Sequence, residues 1–441
     1  MVGAMATLGP VVAQSAAPQE VKRLSVAANG AETSADSAGA RISANGRRVA
    51  FASDASNLVA GDANRVRDVF VADVATGRVQ RVSVSSSGRE ANAISMPSEI
   101  DVNGGPSLSA DGRFVAFQST ASNLVAHDTN RAGDIFVRDL EKHTTRRVSV
   151  TGNRGTQANG GSLHPALSAS GRWVAFSSGA TNLVKGDTNG QVDVFVRDLR
   201  KRKTVRVSVT ARGKQANGGS LRPSISRDGR LVVYESLASN IAGRDPNDQA
   251  PGLERMDVFA RDLRARRTER ISVSSAGASG NGSSFSGFQP SISANGRFVV
   301  FDSGSSNLAS GDGNDQIDTF LRDRKKHRTR LIRVAAAGGN GNSGVPSISS
   351  DGKRIAFESN ASNLGPPDAN GATDVFVFDL RSGKTALVSS DDMGGAASGL
   401  SFHASISRDG RTVSFASNAG NLGAGDSNGH FDVFVRGLPA P

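Results

Sequence analysis

Carboxylates and carboxamides recur at a fixed spacing along this 441-residue chain. The pattern Asp-x-Asn-x-x-x-Asp occurs as Asp62/Asn64/Asp68, Asp128/Asn130/Asp134, Asp187/Asn189/Asp193, Asp312/Asn314/Asp318, Asp368/Asn370/Asp374 and Asp426/Asn428/Asp432, and a further copy keeps Asp245, Asn247 and Asp257 around an insertion. Oxygen donors in a glycine-containing loop suit Ca2+, a hard cation that collects about six to eight oxygens and accepts backbone carbonyls. The pattern is not an EF-hand. Asp198 has the count of a twelfth-position ligand, but five strand residues separate it from Asp193, roughly 16 Å. The same residues have a reading without metal, because Asp and Asn side chains bond nearby backbone amides and fix turns. Asn182 and its repeats at Asn57, Asn123, Asn240, Asn307, Asn363 and Asn421 fit that second role. A single functional site would not need a copy in every unit, so the repetition favours a building role.

The elements that carry these loops follow from the repeats. A tight turn of Asn-Gly, Asp-Gly or Ser-Gly recurs at Gly46, Gly112, Gly171, Gly229, Gly296, Gly352 and Gly410, spaced 56 to 67 residues apart. That interval suits a four-stranded blade with extended loops. In the third unit, Ala166-Leu167-Ser168 reads as strand a and "RWVAFSS" (172–178) as strand b. "DVFVRDL" (193–199) then reads as strand c and "TVRVSV" (204–209) as strand d. Strand c is apolar at successive positions, as in a sheet covered on both faces. The last unit stops after "DVFVRGL" (432–438), and the orphan "VKRLSV" (21–26) near the N-terminus supplies its missing strand d. The prediction is an all-β, seven-bladed propeller of four-stranded antiparallel blades, closed by the N-terminal strand pairing with the last blade. Residues 21–438 make the propeller, 1–20 a signal-peptide remnant or tail, and 439–441 a short tail.

The repeats resemble the WD40-like propeller repeats of the TolB family, through "SADGRFVAFQS" (109–119), "DIFVRDL" (134–140) and "RRVSV" (146–150), with equivalents in every unit. The resemblance implies the propeller fold. Two departures limit it: the loop between strands b and c is longer than usual, and the chain has no room for the extra α/β domain that accompanies the TolB propeller.

The meander sorts the sequence onto two faces. The long b-to-c and d-to-a loops share one face. The short turns share the other, with Arg200, Lys201, Arg202, Lys203, Arg264, Arg266, Arg267, Arg324, Lys325, Lys326 and Arg328 at their tips. A basic ring would suit a polyanion. One Trp and one Tyr leave almost nothing to stack on bases, which argues against nucleic acid. Strand a is innermost in a propeller, so residues just ahead of it ring the channel mouth. There the units differ, with His164, Arg222, Gln289, Val345 and His403 at matching places, and His164, Arg222, Gln289 and His403 are the candidate ligand-binding residues. His127, His143, His327 and His430 lie in loops without metal-type spacing.

The net excess of 52 Lys and Arg over 41 Asp and Glu gives +11. No cysteine is present, which excludes disulfides and thiolate chemistry and suits an exported protein. "MVGAMATLGPVVAQSAAP" carries signal-peptidase-like sites at Ala13-Gln14-Ser15 and Ser15-Ala16-Ala17, though no basic residue precedes Lys22. No segment approaches the roughly 20 apolar residues of a spanning helix. Neither a Gly-x-Ser-x-Gly elbow, an HExxH helix nor a phosphate loop occurs. The expectation is a non-catalytic periplasmic or secreted scaffold that binds a protein, peptide or envelope polymer through its long-loop face, with calcium as the candidate ion. The alternative is a propeller hydrolase or lyase acting on a polysaccharide or lactone at the channel mouth.

Overall fold

The computed structural model describes residues 20–440, apart from 97–104, 153–154, 244–254, 285–288, 333–338, 365–369 and 424–425. Residues 1–19, the expected signal-peptide remnant or tail, and Asp245, Asn247 and Asp368 therefore lie outside the described residues. Seven four-stranded antiparallel sheets are arranged as the blades of one propeller. In the third blade the strands are Ser162–Leu167, Trp173–Ser178, Asp193–Asp198 and Lys203–Arg206, paired in that order. Strand a begins earlier than the sequence suggests because Ser162 and Leu163 pair with Ser178 and Ser177 ahead of a bulge.

The ring closes at the seventh blade. Its strands Ser401–Ile406, Thr412–Ser417 and Asp432–Gly437 are completed by Val21–Arg23, with Lys22 opposite Val435. This pairing covers an edge strand that would otherwise present free N–H and C=O groups.

Each blade is apolar on both faces because each is packed between two others. Val137 and Val148 of the second blade share one cluster with Val174 and Phe176 of the third. Inside every blade an aromatic pair joins strands b and c, from Phe51–Phe70 through Tyr234–Phe259 to Phe415–Phe434, with centroids 5.7 to 6.0 Å apart. Burying such a ring contributes roughly 1.5–3 kcal/mol.

Neighbouring blades are also keyed at their hairpins. The Trp173 ring lies over Gly229 in the next blade, and Phe114 lies over Gly171, where a Cβ would come within 2.3 Å of the ring in both cases. Both glycines have φ near +70° (74° and 68°), so the turn and the neighbouring ring each demand glycine.

A candidate binding site in the central channel

The innermost strands build the channel. On the short-turn side, backbone N–H groups of Asn45, Ala110, Ala169, Arg227, Ala294, Asp351 and Arg408 donate to carbonyls of the adjacent blade at 2.9 to 3.3 Å, which forms a closed collar. Above it, Ile42, Leu108, Leu167, Ile225 and Ile292 separate a lower chamber from an upper one. The upper chamber, on the long-loop side, has a volume of about 210 Å3 and is lined by strand a residues of all seven blades, including Arg41, Gln289 and five serines.

Four of these serines connect successive blades. Ser107 Oγ accepts the N–H of Leu167 at 2.9 Å, and Ser291, Ser347 and Ser405 accept from Ile348, Ile406 and Ile42 at 3.2 to 3.3 Å. In the first blade Arg41 stands where the others carry Ser or Ala, as in "GARIS" against "RPSIS" and "VPSIS".

His164, Arg222, Val345 and His403 lie inside strand a, at a bulge, with φ of 50° to 58°. Gly39 takes the same left-handed conformation in the first blade at φ 69°. Gln289 occupies the matching place just before Ser291–Ile292 and donates to the carbonyl of Pro223. A left-handed conformation is unfavourable for a non-glycine residue, above all for a β-branched one such as Val345. Side chains from adjacent strands hold it in place.

Those side chains come from the fifth position of strand b, which carries Glu235, Asp302 and Glu358 in blades four to six. Glu358 accepts the backbone N–H of His403 and, at 3.3 Å, that of Ala404. Asp302 accepts the N–H of Val345 at 2.9 Å and the hydroxyl of Thr319 at 3.1 Å. Glu235 meets the Arg222 guanidinium at 3.4 Å. Burial pushes both Glu235 and Glu358 up to about 8. The same burial, reinforced by the charge of Arg41, pushes His403 down to about 3. His403 is therefore a neutral imidazole, and its Nδ1 accepts the N–H of Gly39 at 3.2 Å, leaving its proton on Nε2. Burial also draws Arg41 below its usual range, opposed by the charge of Glu358. The structure thus brings His403, Glu358 and Arg41 together across blades seven, six and one. His164, 5% exposed in blade three, and Arg222 in blade four belong to the same ring of bulges.

The carboxylate loops lie farther out. Asp68, Asp134, Asp193 and Asp432 are 0% exposed at the start of strand c. Each has an arginine from strand d, namely Arg81, Arg147, Arg206 and Arg23, which also reaches Asp62, Asp128, Asp187 and Asp426. The nitrogen to oxygen distances run from 2.9 to 3.6 Å. A guanidinium thus stands among the oxygens where a cation would sit, so in these four blades the donor set does not fit Ca2+. The Asn of the motif completes the latch: Asn64, Asn130 and Asn189 donate to Asp68, Asp134 and Asp193, and to the carbonyls of Ala91, Ala158 and Ala216. Asn314, Asn370 and Asn428 likewise donate to the carbonyls of Gly339, Ala397 and Thr33.

Leu331 and Leu387 replace the arginine in blades five and six. Without it, burial raises Asp318 to about 6, and Asp312 is raised by burial and by Asp315. Asp374 keeps the hydroxyl of Ser389 at 2.6 Å. Asn182 bonds Gln157 O and Asn159 N, about 25 residues earlier, so it ties its loop to the preceding d-to-a segment. Among the described residues, no three His, Asp or Glu side chains converge as a metal site.

Asp198 belongs to the opposite face. It closes strand c and takes the guanidinium of Arg172 at 2.7 and 3.0 Å, an arrangement repeated by Arg113–Asp139 and Arg297–Asp323. The basic turn tips are exposed, with Arg324 partly covered and paired to Glu269 at 2.5 Å.

No protein-family model matches the sequence, and no curated protein matches it. Solved structures do. An oligogalacturonate lyase in complex with manganese superposes with a TM-score of 0.55 at 13% identity, over 96% of this chain and 94% of the other. The β-propeller domain of the Trilobed protease from Pyrococcus furiosus gives 0.52 at 9% identity, over 91% and 95%. The fold is a seven-bladed β-propeller. TolB from Acinetobacter baumannii itself aligns at 13% identity with a TM-score of 0.43, over 77% of this chain, which spans 63% of that protein. The Pyrococcus domain is described as having an open velcro topology, whereas here Val21–Arg23 closes the last blade. At these identities the likeness is one of fold alone. No helix is long and apolar enough to cross a membrane, among the described residues.

Sequence reasoning missed Arg41 and the three strand b carboxylates. Aligning the seven repeats would have exposed them, since each stands where most other blades carry a small or uncharged residue.

Proposed function

We propose that this chain is a non-catalytic propeller that binds a protein or peptide through its long-loop face, and that it works in the periplasm or outside the cell. The supporting observation is a set of loop tips with one backbone and many side chains. Among the described residues, the one after the motif Asn is left-handed in six blades, with φ of 54° to 71°, yet it is Arg65, Arg131, Gly190, Asp315, Gly371 and Gly429 in turn. The latches hold these tips at the surface, and holding loops in one conformation lowers the ordering cost of binding. Two arginines on adjacent blades and an aspartate across the ring give the rim a charge asymmetry that a partner can read. A composition without cysteine is the ground for placing it in the periplasm or outside the cell.

Affinity capture from a periplasmic extract, with Arg65→Glu/Arg131→Glu as comparator, tests this reading. A partner retained by the parent protein and lost by the variant, at equal melting temperature, supports it. Turnover of oligogalacturonate or a lactone with no captured partner would favour the enzyme alternative.

A further inference from the structure

The upper chamber of the channel is rich in donors. Ser107, Ser291, Ser347 and Ser405 each use their oxygen to accept a backbone N–H from the next blade, which leaves the hydroxyl proton to be donated elsewhere. No protein acceptor takes these protons among the described residues, and the hydroxyls line the chamber. Ser224 Oγ, a fifth lining hydroxyl, is buried without any hydrogen-bond partner. Among the described residues, Arg41 is the one charged side chain in the lining. Glu235, Asp302 and Glu358 stand behind the bulges, where Glu358 and Asp302 are occupied by backbone N–H groups and Glu235 by Arg222.

We propose that this chamber binds a small hydroxy-carboxylate, with Arg41 as the anchor for the carboxylate and the serine ring donating to its oxygens. The chamber's volume of about 210 Å3 is roughly that of seven waters, which suits one compact molecule. A single guanidinium matches a monoanion, and the described lining offers no second positive charge to balance a dianion such as phosphate. The aliphatic ring below stops the ligand from passing through. This inference does not depend on the protein-binding role of the rim.

Calorimetric titration with gluconate, sorbitol and inorganic phosphate tests it. Gluconate should bind, sorbitol and phosphate should bind at least about tenfold more weakly, and Arg41→Leu should weaken gluconate by about tenfold or more, as expected for a lost charge-assisted hydrogen bond. Ser224→Ala removes a hydroxyl with no protein partner, so it should leave melting unchanged and still weaken gluconate a few-fold. It serves as the readout if Arg41→Leu fails to fold. Arg227→Ala, in the lower chamber, should change nothing. Absence of gluconate binding at millimolar concentration, equal binding of phosphate, or binding insensitive to both upper-chamber variants would each overturn the assignment.

Discussion

The backbone N–H of Gly39 in the first blade donates to Nδ1 of His403 in the seventh, at 3.2 Å. This bond requires a neutral imidazole, and burial with the Arg41 charge nearby holds the ring's pKa down to about 3. The unfolded chain takes up a proton near pH 6.5, while the native state takes it up only near pH 3. The His403 contribution to stability should therefore be lost as the solution is acidified through that window, by about 3 kcal/mol at pH 4. Urea unfolding of the parent and of His403→Gln at pH 7 and pH 4 isolates this contribution, because the parent should lose more, or gain less, on acidification than the variant.

Glu358 contributes the opposite slope. Its folded pKa is raised to about 8 by burial, so between about pH 4.5 and 8 the native state holds a proton that the unfolded chain has released. Stability falls as pH rises across that interval, and Glu235 acts in the same sense. The melting temperature of Glu358→Gln should fall less steeply from pH 6 to pH 8 than that of the parent. An identical slope would mean that Glu358 is ionised throughout.

The hairpin glycines are under two constraints of different size. Gly229→Ala puts a Cβ 2.3 Å from the Trp173 ring at φ +74° and should cost at least about 3 kcal/mol. Gly213→Ala shares the positive φ, at 78°, but meets nothing within 4 Å, and should cost only about 1 kcal/mol. Chemical denaturation of the two variants separates the steric term from the conformational one.

Arg147→Met leaves Asp128 and Asp134 buried without their counter-charge and should cost about 3–5 kcal/mol. Adding Asp134→Asn to it should recover part of the loss, which a thermal melt would show. We also expect the parent protein's melting temperature to be unchanged by millimolar calcium relative to magnesium. A calcium-selective rise would put an ion in a latch that lacks its arginine, such as that of Asp318.

Deleting the chain through Ser25 removes Arg23 and Ser25 from the buried Asp432 and uncovers the edge of Asp432–Gly437. The truncated protein should melt lower and associate on concentration, as light scattering would reveal.

Much of this architecture is legible in the sequence because a repeat states each local rule several times. Gly171 and its equivalents mark the hairpins, the apolar run at Val194 marks a doubly covered strand, and the orphan strand at Val21 marks the closure. The bulges are not legible. Nothing local in "SLHPAL" tells that His164 turns left-handed, since Pro165 biases the residue before it, His164 itself, toward extended backbone. Nor does "RIAFES" disclose that Glu358 caps the backbone of His403, 45 residues later. The aspartate loops yield half their meaning: turn chemistry is visible, but the arginine that meets Asp134 comes from Arg147, on the far side of a strand and a turn.

The hairpin contacts all point the same way around the ring. Phe114 rests on Gly171, Trp173 on Gly229, Leu231 on Gly296, Phe298 on Gly352, Arg354 on Gly410, Thr412 on Gly46 and Arg48 on Gly112. The propeller is thus a directed cycle, in which every blade offers a socket to its predecessor and a peg to its successor. A duplicated blade would arrive with both halves of the joint already matched, so a gene could lengthen or shorten such an array without inventing a new interface.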